Sequence, residues 1–286
     1  MNRKLQGPAH VRMIAMDLDG TLLTSEKVVD PSTRDALLWA KSQGVTLVLA
    51  TGRGHTEIEA IAAEPLRLRE GDHYAAAMNG QEIYSYRTGE VDYGAMFTEA
   101  DARRIIPLVR SLDTELTLCS PDGNFGFLSQ ELEAKRDYGY DAGYRTLHGG
   151  YLTRVIRDGE IPAVEKISKF ILLQREDRLR RSVDLLRRQI PEYDYYMIGP
   201  EWAEIMPRGV SKGKAVLEIA KRKGVSPEEV LVFGDAENDL TMFQLFPYAI
   251  AMGGAAEVIQ EAAFDITADC DHAGIAKSLG KYKNCI

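Results

Sequence analysis

Val11-Arg12-Met13-Ile14-Ala15-Met16-Asp17-Leu18-Asp19-Gly20-Thr21 is the stretch that decides the fold. An apolar run stops at two closely spaced carboxylates, and a glycine lets the backbone turn at once. Read as a buried strand, the run delivers Asp17 and Asp19 together at its carboxyl end. Open α/β sheets bind their ligands at that end. Average composition gives a D-x-D-G-T about a 1 in 300 chance of arising somewhere in a chain this long. A solvated acidic turn after a strand is the plain alternative, because turns favour Asp and Gly. The residues downstream decide between the two.

Asp30-Pro31-Ser32-Thr33 is a helix start, a cap residue followed by Pro at the first helical position. The helix runs on through Ala36, Leu37, Leu38, Ala40 and Lys41, and Gly44 ends it. Val45 to Ala50 is a second apolar run, rich in Val and Leu, stopped by Thr51-Gly52-Arg53-Gly54. Near-continuous apolar strands of this kind belong to parallel sheets covered on both faces. Thr51 therefore shares the sheet end of Asp17. A helix through Ile58 and Ile61 is expected next, then a strand from Tyr74 to Met78 ending at Asn79-Gly80. A hairpin of 81–86 and 90–96 follows, turning near Thr88-Gly89.

From Phe97 regular alternation is lost. A helix is expected over 100–112, and strands over 115–119, just after the Pro121–Asn124 turn, and over 166–174, 195–198 and 203–206. An Arg-rich helix covers 177–189, its basic face read as solvated. The Tyr- and Gly-rich stretch 135–153 has no assignment. This mixture is α+β. Alternation returns at Ser211: helix 212–223 ended by Gly224, strand 230–233 stopped by Gly234-Asp235, helix 240–246, strand 249–252 and helix 255–263. The expected architecture is α/β, a Rossmann-like parallel sheet core made of 11–96 and 207–286. A 97–206 α+β domain is inserted into it.

The chain has 286 residues and a net charge of -8, enough for two domains and without the basic surface that nucleic acid requires. No nucleic-acid partner is expected. Phosphate would have to be held by local cations and amides. Three scattered cysteines, Cys119, Cys270 and Cys285, fit a reducing compartment rather than a disulfide framework. Residues 1–10 are polar, read as loose, with no signal-like apolar segment, and no stretch is apolar enough to span a bilayer. A cytoplasmic protein with no membrane partner is expected, as a monomer or small homo-oligomer.

Four points converge on one end of the inferred sheet: Asp17/Asp19, Thr51, Lys212 at a helix start, and Gly234-Asp235-Ala236-Glu237-Asn238-Asp239 after a strand. With these four motifs in order, the sequence resembles the haloacid dehalogenase superfamily of phosphohydrolases over nearly its whole length after residue 10. The resemblance is best to the Cof-like branch, which carries a large α+β cap. Met252-Gly253-Gly254-Ala255 departs from the branch, which usually has Asn at the third position.

The resemblance implies a magnesium-dependent phosphatase of small phosphorylated metabolites, with an aspartyl-phosphate intermediate. It makes Asp17 the nucleophile and Asp19 the acid–base carboxyl, roles that suit two carboxyls facing one phosphorus. It assigns Mg2+ to Asp17, the backbone carbonyl of Asp19, and Asp235. Asp239 stands behind them, holding a metal-bound water or Lys212. Thr51, the amide of Gly52 and Lys212 would hold phosphate, as positioning and charge neutralisation dominate phosphoryl transfer. Asn238 either joins them or caps the helix that follows. Taken alone, Thr51 reads as a helix cap and Lys212 as a surface lysine. Arg53 and Asn79 face the same end, with substrate contact or a turn role equally open. His55 and Met78 read as structural. The rival functions are a phosphomutase or phosphotransferase, a non-catalytic phosphometabolite-binding regulator, and a receiver-type signalling domain, which would not need the insertion.

Overall fold

The computed structural model describes residues 7–120, 123–127, 152–155 and 166–286, the four at 152–155 by their backbone. The chain divides into two compact units, 1–94 with 210–286, and 95–209. In chain order the first unit begins with β1 (Met13–Met16), α1 (Pro31–Ser42), β2 (Thr46–Ala50), β3 (Tyr74–Ala77), β4 (Glu82–Ser85) and β5 (Val91–Tyr93). The second holds α2 (Glu99–Ser111), β6 (Glu115–Ser120), β7 (Gly123–Phe127), β8 (Leu152–Val155), β9 (Lys169–Leu173), α3 (Glu176–Gln189), β10 (Asp194–Gly199) and β11 (Trp202–Met206). The chain then completes the first with α4 (Lys212–Arg222), β12 (Val230–Gly234), α5 (Leu240–Leu245), β13 (Tyr248–Ala251), α6 (Glu257–Ala262), β14 (Asp265–Ile266) and α7 (Gly274–Lys281).

The first unit is built on one sheet of order β14-β13-β12-β1-β2-β3-β4-β5. Pairing is parallel from β14 to β3 and antiparallel in the hairpin that ends it. β1, β2 and β12 are buried at every position. Alternate side chains go to opposite faces. Ile14, Met16, Leu47, Leu49, Leu231 and Phe233 pack with Leu37 of α1 and Ile275 and Leu279 of α7. Met13, Ala15, Val48, Ala50, Val230 and Val232 pack with Val216 and Ile219 of α4, Met242 and Phe243 of α5, and Ile259 of α6. Each fully buried large apolar side chain contributes about 1.5–3 kcal/mol. Two covered faces are what drive the near-continuous apolar runs of the sequence.

Local signals work as the sequence implies. The Asp30 carboxylate accepts from the Thr33 amide at 2.9 Å with Pro31 behind it, starting α1. Ser211 caps α4 through the Lys214 amide, and Gly224 turns the chain at φ +61°. The expected helix through Ile58 and Ile61 is instead a single π-helical turn, Glu59–Ala63, with Glu64 N–H bonded to the Glu59 carbonyl. The last helix, α7, and the short β14 carry no sequence expectation.

The second unit has a sheet of order β10-β11-β9-β6-β7-β8, antiparallel except for β7 with β8. Leu116, Leu118, Phe170, Leu172, Ala203 and Ile205 pack under α2 and α3. The arginines of α3 are exposed. Most of the unassigned stretch 135–153, the start of the 121–124 turn, and residues 1–6 of the N-terminal segment expected to be loose lie outside the described residues.

Candidate active site

Parallel strands deliver their carboxyl ends to one edge. Asp17 follows β1, Thr51 follows β2, Asn79 lies just beyond β3 and Asp235 follows β12. Lys212 opens α4, whose glycine at 213 lies against the start of α5; a Cβ there would stand 2.4 Å from the Thr241 carbonyl. This close approach seats the lysine in the interior.

Lys212 is only 1% exposed, and its Nζ donates to Asp17 Oδ1 at 2.6 Å and to Asp239 Oδ1 at 2.7 Å. The reading of Lys212 as a surface lysine is therefore wrong. Asp239, fully buried, also takes the amides of Asp235 and Ala236 on Oδ2, at 3.0 and 3.1 Å. These three bonds tie the loop after β12 to α4. Thr21 donates its hydroxyl to Asp235 Oδ1 at 2.7 Å. Thr21 stands in the opening motif, but nothing in the sequence signals this partner.

Asp17, Asp235 and Asp239 each present a carboxylate oxygen within 4.8 Å of the others. One lysine faces three acids, so negative charge is in excess. Burial, and then Asp239 and Asp235, push the Asp17 carboxyl well above its usual range against the pull of Lys212. Asp235 is raised to about 6, by burial first and then by Asp239. Burial alone would lower Lys212, but Asp17 and Asp239 outweigh it and hold the ammonium charged. Oxygen-only ligation by clustered carboxylates suits a hard divalent cation. The space beside them is shaped by glycine: a Cβ on Gly20, at φ +83°, would stand 2.4 Å from Asp235 Oδ2.

The side chain of Asp19 does not join that cluster. Arg53 grips it with two bonds of 2.7 Å, Nε to Oδ2 and Nη2 to Oδ1, and Lys27 adds a third at 2.7 Å. Burial would raise this carboxyl, but the bonds from Arg53 and Lys27 dominate and lower it to about 2. In this structure the Arg53 side chain is taken up by Asp19, a partner the sequence did not indicate, and Lys27 was not anticipated at all.

Thr51 is buried, and its hydroxyl accepts from the Arg53 amide at 3.1 Å. That is a turn, and no helix begins until Glu59, so Thr51 is not a helix cap. Gly52 lies against Asn79, whose Oδ1 would be 3.3 Å from a Cβ at that position. Asn79 is buried at φ +57°, and its Oδ1 accepts from Asn238 Nδ2 at 3.0 Å. Asn238 does not cap α5, which has no side-chain cap. His55 bonds Glu82 through Nδ1 at 2.8 Å and stacks on Tyr84, a structural role.

Residues 14–279 match the family described as haloacid dehalogenase-like hydrolase. The putative phosphatase YxeH of Bacillus subtilis is 30% identical over 274 residues, covering 94% of this chain and 97% of its own. The pyridoxal phosphate phosphatase YbhA of Escherichia coli is 25% identical, with 94% and 97% covered. The solved structure of the subclass IIB sugar phosphatase BT4131 superposes with a TM-score of 0.79 at 23% identity, covering 96% of this chain and all of that one. The chain belongs to the haloacid dehalogenase-like hydrolases, and it is a phosphoric monoester hydrolase.

Proposed function

We propose that this enzyme is a magnesium-dependent phosphatase of small phosphorylated metabolites that works through an aspartyl-phosphate. One observation carries the reading. A buried lysine binds the carboxylate at the end of β1, and two further carboxylates stand within 4.8 Å. Such a cluster is costly to fold unless something cationic binds it. Asp17 and Asp235, with the backbone carbonyl of Asp19, would hold the cation, with Asp239 behind them. When bound it supplies positive charge that keeps Asp17 ionised and offsets the phosphate dianion.

Asp17 attacks phosphorus with a carboxylate oxygen, and the bond to the leaving oxygen breaks. Asp19 gives that oxygen a proton, for which its carboxyl must first leave the grip of Arg53 and Lys27 that keeps it ionised. In the second half Asp19 takes a proton from water, whose oxygen attacks the aspartyl-phosphate and frees inorganic phosphate. Lys212 stays charged, holding Asp17 and neutralising a phosphate oxygen. The Thr51 hydroxyl, the Gly52 amide and Asn238 complete the phosphate contacts. The inserted unit, 95–209, acts as a cap that selects the metabolite. The names of YbhA and BT4131, which specify pyridoxal phosphate and sugar substrates, support a small-molecule substrate class.

A turnover screen against phosphorylated metabolites tests this reading. With magnesium present, inorganic phosphate is released from several of them; EDTA silences the enzyme and magnesium restores it. Full activity in metal-free protein, or rescue by zinc alone, would refute the assignment.

A further inference from the structure

We propose that the cavity at the amino-terminal ends of β2 and β3 is a second binding site, built for a small organic carboxylate. It lies at the opposite end of these strands from Thr51 and Asn79, and it stands apart from the chemistry proposed for the catalytic carboxylates.

The cavity has a volume of about 420 Å³, and every residue lining it belongs to the first unit. Sites for small molecules commonly occupy about 300–1,000 Å³. Three cations line it against two carboxylates. Arg67 bonds Glu70 through Nε at 2.9 Å, and Lys223 bonds Asp72. Lys41 is the cation left over, with no carboxylate partner among the described residues. Its Nζ donates instead to the backbone carbonyls of Leu66, at 3.3 Å, and Arg67. An ammonium has three donors, so one remains for a ligand. Burial draws this ammonium below its ordinary range, with Glu70 pulling the other way. A cation drawn from water without a counter-charge is costly, and a bound anion removes that cost.

His73 supplies the second contact. It is 5% exposed, and its Nδ1 accepts the Leu47 amide at 3.0 Å. The ring proton therefore sits on Nε2, which becomes a donor. The glycine at 71 leaves that edge of the ring uncovered, since a Cβ there would stand 2.6 Å from Nε2. Burial, and then the charge of Lys41, lower the imidazole to about 4, so it stays a neutral donor at physiological pH. Leu38 and Val45 add apolar wall. One excess positive charge, one neutral donor and an apolar wall match a monoanion with two oxygens and an apolar body. A carboxylate offers one oxygen to each donor. A phosphate dianion would bring a second charge and a third oxygen with no group to meet them.

Benzoate is the probe, titrated into the full-length protein at neutral pH in EDTA. Without a cation the excess negative charge at the catalytic end repels anions, so the two ends are read separately. Binding is followed by NMR at the His73 imidazole and at the Leu47 amide that bonds it. Both signals should shift together and saturate at millimolar benzoate, while the amides of Thr51 and Gly52 stay in place. Benzamide, the uncharged counterpart, should bind about tenfold or more weakly, the scale of one hydrogen bond to a charged group. Lys41→Met should weaken benzoate by about tenfold or more for the same reason. Ser42→Trp, at an exposed position lining the cavity, should fill it and abolish the shifts with every charge intact. Amide signals elsewhere in the spectrum report that each variant is folded.

No saturable shift at His73 would overturn the proposal, as would shifts confined to Thr51 and Gly52, which mark the catalytic end. Equal binding of benzamide, or of benzoate to Lys41→Met, would make the cavity an apolar pocket with no selectivity for charge. Full-strength binding to Ser42→Trp would put the probe elsewhere. Phenylphosphonate binding about tenfold more tightly than benzoate would overturn the carboxylate assignment, since a second charge would then have found a partner.

Discussion

Asp17 and Asp235 illustrate how a site can be built against stability. Asp17→Asn should abolish phosphate release while the circular dichroism spectrum keeps its shape, because an amide is a poor nucleophile and a poor ligand for a hard cation. Activity within about tenfold of wild type would remove Asp17 from its role, since losing a covalent nucleophile costs several kcal/mol of barrier. Asp235 makes a complementary prediction. Its folded value of about 6 lies above the 3.8 of a free carboxyl, so the folded state prefers the protonated form. That stability is fully present below pH 3.8 and is lost as pH rises through 6. In EDTA at pH 7.5, Asp235→Asn should therefore raise Tm by about 2–4 °C, the scale of one kcal/mol in a domain of this size. The gain should shrink as pH falls toward 4, and the variant should lose its response to added magnesium. A lower Tm at pH 7.5 would mean that Asp235 is held by favourable bonds rather than by excess negative charge. The carboxylates themselves were legible in the sequence, because each follows an apolar run. The grip of Arg53 on Asp19 was not: the two stand 34 positions apart, and only the pairing of β1 with β2 brings them together.

Strands and helices were legible where pattern and packing agree. β1, β2 and β12 read as near-continuous apolar runs because both faces are covered, and α1 and α4 carry caps at one end and glycine turns at the other. The segment around Ile58 failed because its apolar residues suit any helical pitch, and the bonds settle into one π-helical turn. α7 escaped notice because glycines at 274 and 280 weaken its helical signal. The turn after β3 is a further device that periodicity does not reveal. Met78, Asn79 and Gly80 all have positive φ, and a Cβ on Gly80 would stand 2.3 Å from the carbonyl of Ser211, the cap of α4. Gly80→Ala should therefore cost about 2–4 kcal/mol, more than the left-handed penalty alone. It should also lower kcat/KM, because Ser211 carries Lys212 with it. Gly89 has a similar φ of +75° with nothing within 4 Å of an added Cβ, so Gly89→Ala should cost about 1–2 kcal/mol and leave turnover intact. Equal losses in urea melts of the two variants would show that the contact with Ser211 is not what excludes a side chain at residue 80.

The residues of the proposed chemistry all fall in one of the chain's two units. Every residue given a chemical role here belongs to the unit formed by 1–94 and 210–286, and the parallel sheet that gathers them is complete without the 95–209 segment. That segment has its own sheet and its own apolar core, from Phe97 to Ile205. In the function proposed above, the inserted unit is the part that discriminates among substrates. Replacing 95–209 by a short Gly-Ser linker between Gly94 and Val210 should leave a protein that still releases p-nitrophenol from p-nitrophenyl phosphate. Its rate should be reduced but still magnesium-dependent, because Asp17, Lys212, Asp235 and Asp239 all remain. The ranking of metabolites seen with the full chain should collapse toward uniformity, since the selective surface has been removed while the phosphate contacts have not. The measurement is kcat/KM for a panel of phosphorylated metabolites, taken in parallel on both proteins. If the truncated protein keeps the full chain's ranking, selectivity resides in the sheet ends and their loops, and the inserted unit must serve some other purpose.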